Sequence, residues 1–108
     1  YSGNFTVWPR THTFFEDYFK EHGTDVLKDG QPKIEPPVPP IQITGNAGDV
    51  CFTHHQLMHT AAPNGSANIR YAVIYRLRHE ACKENGTDSM TNIWMEYPGL
   101  QEVLVEGQ

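Results

Sequence analysis

The sequence predicts a mainly β fold carrying one short helix. Three observations lead there. From Gly48 to His79 the chain reads as two strand-like runs joined by the polar turn Pro63-Asn64-Gly65-Ser66. Further short β-type runs occur at Phe5–Trp8 and Ile41–Thr44. Between them, Phe14, Phe15, Tyr18, Phe19 and His22 recur at helical spacing. A histidine, His59, closes the first long run and an arginine, Arg70, opens the second. Neither side chain belongs inside a β-barrel unless something there requires it: an imidazole can give a lone pair to a metal, and a guanidinium can clamp a carboxylate.

Taken in order, Phe5–Trp8 is a strand that Pro9 stops. Thr13-Phe14-Phe15-Glu16 has the form of a capping box, with Thr13 at the N-cap and Glu16 three residues on. Gly23 is a natural stop for this helix, and His22 suits its C-terminal turn through the helix dipole. Residues 24–40 lack periodicity and contain Asp29-Gly30 and a proline cluster, which predicts an irregular loop ending in polyproline-like chain. Ile41–Thr44 alternates as a strand, and Gly45–Asp49 turns it. Val50–Thr53 is the next strand, after which His54 and His55 are expected on opposite faces.

In the second long run, Arg70, Ala72 and Ile74 share one strand face, and Tyr71, Val73, Tyr75 and Leu77 share the other. Small Ala72 leaves room beside Arg70 for a ligand. A buried guanidinium needs an anion, either a bound acid or an internal Asp or Glu, because an unpaired interior charge costs several kcal/mol of hydration. Residues 80–89 read as a charged loop, and Leu100–Val105 as a short helix or strand.

The chain of 108 residues is one domain or less. Its net charge of −5 argues against nucleic acid or an anionic membrane as partner. No apolar run approaches the ~18 residues of a membrane span. Cys51 and Cys82 fit no zinc or Cys-x-x-Cys spacing and are expected to be buried free thiols. Of the sequons at Asn4, Asn64 and Asn85, Asn85 alone is expected in an exposed loop. A cytoplasmic location is favoured, with a secreted one left open.

The pattern Gly48-Asp49, His54, His59, Pro63-Asn64-x-Ser66 and Arg70, followed by an apolar strand, resembles the phytanoyl-CoA dioxygenase family of non-haem Fe(II)- and 2-oxoglutarate-dependent oxygenases. His59 and Arg70 stand eleven residues apart, as do that family's last iron-ligating His and its 2-oxoglutarate-binding Arg. Gly3–His12 is similar to the family's strand ending in a Pro-Gly-Ser-His turn, with Arg10 and Thr11 in place of Gly-Ser. The likeness runs from Gly3 to Arg78, with a poorly matching middle.

This resemblance implies a double-stranded β-helix of the jelly-roll, cupin-like kind, incomplete here, with residues 1–108 the C-terminal portion of one such domain. It implies His59 as the last iron ligand and catalytic residue, and Arg70 as the clamp on 2-oxoglutarate. The cofactors would be Fe(II) and 2-oxoglutarate as cosubstrate, with ascorbate as an optional reductant. The reaction would be hydroxylation of a small organic or acyl substrate, or halogenation in a variant lacking the carboxylate ligand. His54 matches a family position that commonly carries His, and stands open between hydrogen-bonding support of the site and ordinary strand-end polarity. Ala61 replaces a hydroxyl residue that also touches 2-oxoglutarate, a loss Thr60 would have to cover.

None of the six histidines begins a His-x-Asp or His-x-Glu motif, which supplies the other ligands of the facial triad. The chain starts at Tyr1, just after the segment where the family carries that motif, so truncation is expected and the missing N-terminal part is an expected partner. Readings from other classes are a non-catalytic small-acid-binding β-barrel module and an interaction fragment.

Overall fold

The computed structural model describes residues 2–107, with the backbone alone for Gln101 and residues 104–107. It falls into two compact units, Tyr1–His12 with Ile34–Tyr75, and Thr13–Lys33 with Arg76–Gln108.

The first unit holds the sheet. Strands β1 (Phe5–Val7), β2 (Ile41–Gln42) and β3 (His59–Ala61) form an open antiparallel sheet in the order β2-β1-β3. The register pairs Val7 with Ile41 on one side and with His59 on the other, and Thr6 with Thr60. Single bonds extend each ladder beyond the strand ends: Ile43 N–H to Phe5 O at 2.8 Å, Trp8 N–H to Met58 O at 3.0 Å, and Ala62 N–H to Asn4 O at 2.9 Å. Thr6 and Val7 are buried, as expected for the middle strand of the sheet.

The double-stranded β-helix does not form. Helix accounts for 33% of the structure and strand for 10%, too little paired strand for a closed or two-sheet barrel. The runs expected as barrel strands, Val50–Thr53 and Arg70–Leu77, form no strand and have no strand partner among the described residues. Strand periodicity specifies which side chains share a face, but a strand exists only when a second backbone accepts its hydrogen bonds. Here none does, so Phe52 is 89% exposed and Tyr71 86%.

Helix α1 (Thr11–His22) begins two residues before the expected cap, because the chain turns over Trp8. Trp8 O accepts from Thr11 N–H at 3.3 Å and from Thr11 Oγ1 at 2.7 Å. Thr13 therefore lies inside the helix. Arg10, just before it, has φ 65°, a left-handed conformation that costs an L-residue roughly 1–2 kcal/mol and glycine nothing. The helix ends as expected: Gly23 has φ 78°, and its N–H reaches Phe19 O at 2.8 Å. His22 Nδ1 lies 3.1 Å from Tyr18 O, and its ring stacks on Tyr18.

In the second unit Phe19 and Ile93 are buried. Glu16, placed by the sequence reading in a capping box, instead accepts from the Ile93 N–H at 2.8 Å. The stretch from Thr24 opens with a 3₁₀ turn (Thr24–Asp29) and is otherwise irregular to Pro40. The expected charged loop is a 3₁₀ turn (Glu80–Asn85) followed by α2 (Asp88–Thr91). Of the two forms open for the tail, the structure adopts helix, α3 (Pro98–Gly107). No helix among the described residues is long and apolar enough to cross a membrane.

Candidate functional site

Antiparallel pairing sets which face His59 occupies. Val7 is its direct partner, so His59 and Ala61 share a face with Phe5 and Val7, while Thr60 points to the other. The His59 and Phe5 ring centroids are 5.5 Å apart. His59 is exposed, which excludes a core histidine. Its Nδ1 lies 2.8 Å from Leu57 O. A carbonyl only accepts, so in the neutral ring Nδ1 carries the proton and Nε2 keeps the lone pair. Thr60 lies on the face opposite to Ala61 and His59.

Arg70 is exposed rather than buried on an inner strand face. Among the described residues it has no acidic partner within ion-pair distance. Of the two anions left open for it, the internal Asp or Glu is not at hand among the described residues, and with Arg70 exposed the burial cost does not arise. Arg70 lines an open hollow of about 320 Å³ with Ser2, Ala62, Asn64, Asn68 and Ile69. Asn64 builds one wall. Its Oδ1 accepts from Ser66 N–H and Oγ at 2.9 and 2.7 Å, and its Nδ2 donates to Asn68 O at 2.7 Å. Gly3 at φ 78° brings the N-terminal segment against this turn, where Ser2 bridges to Asn64. His59 is not among the residues lining the hollow, so the structure does not gather the two predicted site residues into one cavity.

The sequence reading missed a row of imidazoles. The His12 and His54 rings are 5.6 Å apart, and His54 stacks on His55 at 4.4 Å. His54 and His55 therefore do not diverge to opposite faces; His54 sits in a turn, accepting from Gln56 N–H at 3.0 Å, with Leu57 N–H bonded to its carbonyl. No sequence signal pairs these rings: His12 lies in the first turn of α1, and His54 in a turn ahead of β3. Thr11 ties the two segments together: fully buried, its Oγ1 accepts from Met58 N–H at 2.8 Å while donating to Trp8 O.

Among the described residues, no group of three His, Cys, Asp or Glu side chains is gathered to hold a metal ion. His59 is at most one donor of an iron site, and the residues present do not fit a complete one. The cysteines are free as expected but not buried: Cys51 is exposed and Cys82 half-buried. All three sequon amides donate within the protein: Asn4 to Ile43 O, Asn64 to Asn68 O, and half-buried Asn85 to Glu96 Oε1. No protein-family model, curated protein or solved structure matches the chain.

Proposed function

We propose that this chain carries one metal-ligating histidine, His59, and the carboxylate clamp, Arg70, of a non-haem Fe(II)- and 2-oxoglutarate-dependent dioxygenase hydroxylating a small organic or acyl substrate. The observation that supports this most is the state of His59. Its Nδ1 is committed to the Leu57 carbonyl, which leaves Nε2 as a directed lone pair on an exposed ring. The Arg70 hollow adds a second support, since about 320 Å³ falls within the usual ~300–1,000 Å³ of small-molecule sites. Arg10 adds a third: its φ of 65° suits the glycine that the resembled turn carries at that position.

Iron, when bound in such an enzyme, supplies oxygen activation. The chain's own residues do less. Arg70 would pair with the far carboxylate of a 2-oxo dicarboxylic acid through two parallel hydrogen bonds, fixing its orientation. His59 would offer one donor atom. The remaining donors are not supplied by the described residues.

A second reading is a metal-free module that binds a small acid at Arg70 alone. It is favoured by one specific observation, the absence of His59 from the hollow's lining. An anaerobic titration with Fe(II) and then 2-oxoglutarate separates the two. A weak visible charge-transfer band that is lost in both His59→Ala and Arg70→Ala supports the dioxygenase reading. Acid binding without a band, lost in Arg70→Ala but kept in His59→Ala, favours the metal-free module. Binding that survives Arg70→Ala refutes both.

A further inference from the structure

We infer that Asn68 is a second donor to the acid held at Arg70, giving its carboxylate a further hydrogen bond beside the pair from the guanidinium. This rests on Arg70 as a carboxylate clamp, which both readings above share. Asn68 and Arg70 line the same hollow of about 320 Å³. Both are exposed, and no acidic side chain lines that hollow among the described residues, so the charge of the guanidinium is not cancelled there. Asn64 lines it as well, but its amide is already spent, Nδ2 donating to Asn68 O at 2.7 Å. The Asn68 carboxamide is not spent. Each hydrogen bond that Asn68 makes among the described residues runs through its backbone: its N–H donates to Ser66 Oγ at 3.2 Å, and its carbonyl accepts from Asn64 Nδ2 at 2.7 Å and Ser66 Oγ at 3.2 Å.

A backbone held at both its N–H and its carbonyl carries the side chain at a fixed place, so less freedom is lost when the amide meets a ligand. A carboxylate offers about four lone-pair sites on its oxygens, and a guanidinium fork occupies a pair of them. The remaining sites accept from a neutral amide, and Asn68 Nδ2 supplies such a donor within the hollow. The residue type matters for charge as well. A neutral amide leaves the positive charge of Arg70 available to the ligand, whereas an acidic side chain at this position would pair with Arg70 internally and repel the acid. One guanidinium and one amide therefore suit the head of a carboxylic acid.

The test is calorimetric titration of the full chain with 2-oxoglutarate, read beside the side-chain amide resonances of the labelled protein. Asn68→Ala should weaken binding about tenfold, because hydrogen bonds to a charged partner are the stronger kind. Asn68→Asp should weaken it at least about fiftyfold, by adding an internal anion beside Arg70. Both variants keep the backbone bonds to Asn64 and Ser66, so the Ser66 amide resonance should stay in place, which separates a lost contact from a collapsed turn. In the unsubstituted chain the Asn68 Nδ2 protons should shift downfield as the acid saturates the hollow, a readout that needs no variant. If binding is lost in Arg70→Ala but unchanged in Asn68→Ala, or if the Asn68 amide protons do not move, the clamp stands and the role of Asn68 is overturned. If the unsubstituted chain binds no acid, or Arg70→Ala binds it equally well, the clamp itself falls and the role of Asn68 with it.

Discussion

Thr11→Val tests the local mechanism that sets the β1–β3 register. The substitution keeps the shape of a fully buried side chain and removes its hydroxyl. Two partners lose it: Met58 N–H, 2.8 Å away, and Trp8 O, 2.7 Å away. Trp8 O keeps the longer bond from Thr11 N–H at 3.3 Å, so the carbonyl stays partly satisfied. Met58 N–H loses the acceptor that the structure gives it, and an orphaned, partly buried donor costs about 1–3 kcal/mol. Taking about 2 kcal/mol, exchange of the Met58 amide hydrogen should accelerate roughly thirtyfold. The unfolding midpoint in urea should fall with its slope unchanged. Thr11→Ser keeps the hydroxyl and should cost under about 1 kcal/mol, from the lost methyl alone. If Thr11→Val leaves Met58 exchange and the midpoint as they were, the hydroxyl bridge does not hold the chain leading into His59, and this reasoning fails.

Three further outcomes follow. Gly3→Ala adds a Cβ 3.2 Å from Ala62 O at φ 78°, and should lower stability by about 1–2 kcal/mol in a thermal melt. Glu16→Ala removes the carboxylate that accepts from the Ile93 N–H at 2.8 Å, a charge-assisted bond; a loss of about 1.5–3 kcal/mol is expected, with partial recovery in Glu16→Gln. Asn64→Ala removes the side-chain bonds to Ser66 and Asn68 that shape the wall of the Arg70 hollow; it should cost about 1–2 kcal/mol of stability and weaken acid binding at Arg70 about five- to thirtyfold, read by calorimetry.

What could be read from the sequence was local. Gly23 ends α1 because glycine takes its left-handed backbone without strain, and Pro-Asn-Gly-Ser makes a turn because the asparagine side chain bonds nearby backbone; both features depend on residues close in sequence. The paired strand at Phe5–Val7 was also legible, since Pro9 bounds a short β-type run. What failed was non-local. Val50–Thr53 and Arg70–Leu77 have strand alternation, but among the described residues the structure offers them no partner backbone, and alternation cannot supply one. The helix start was misread because Thr13 and Glu16 satisfy a capping pattern, whereas the chain turns earlier, on the bonds from Thr11 to Trp8 O. His12 was missed for a related reason: it meets His54 only through the packing of the α1 start against a turn distant in sequence. For the candidate site, the side chains at His59 and Arg70 were named from their types and spacing, while their exposure and the absence of a shared cavity depended on the fold.

The most direct measurement of the functional account is a titration of the isotopically labelled chain with 2-oxoglutarate, followed by nuclear magnetic resonance. The account predicts shifts confined to the hollow, at Ser2, Asn64, Asn68 and the Arg70 guanidinium, and their disappearance in Arg70→Ala. Shifts elsewhere, shifts that survive Arg70→Ala, or none at millimolar acid would contradict it.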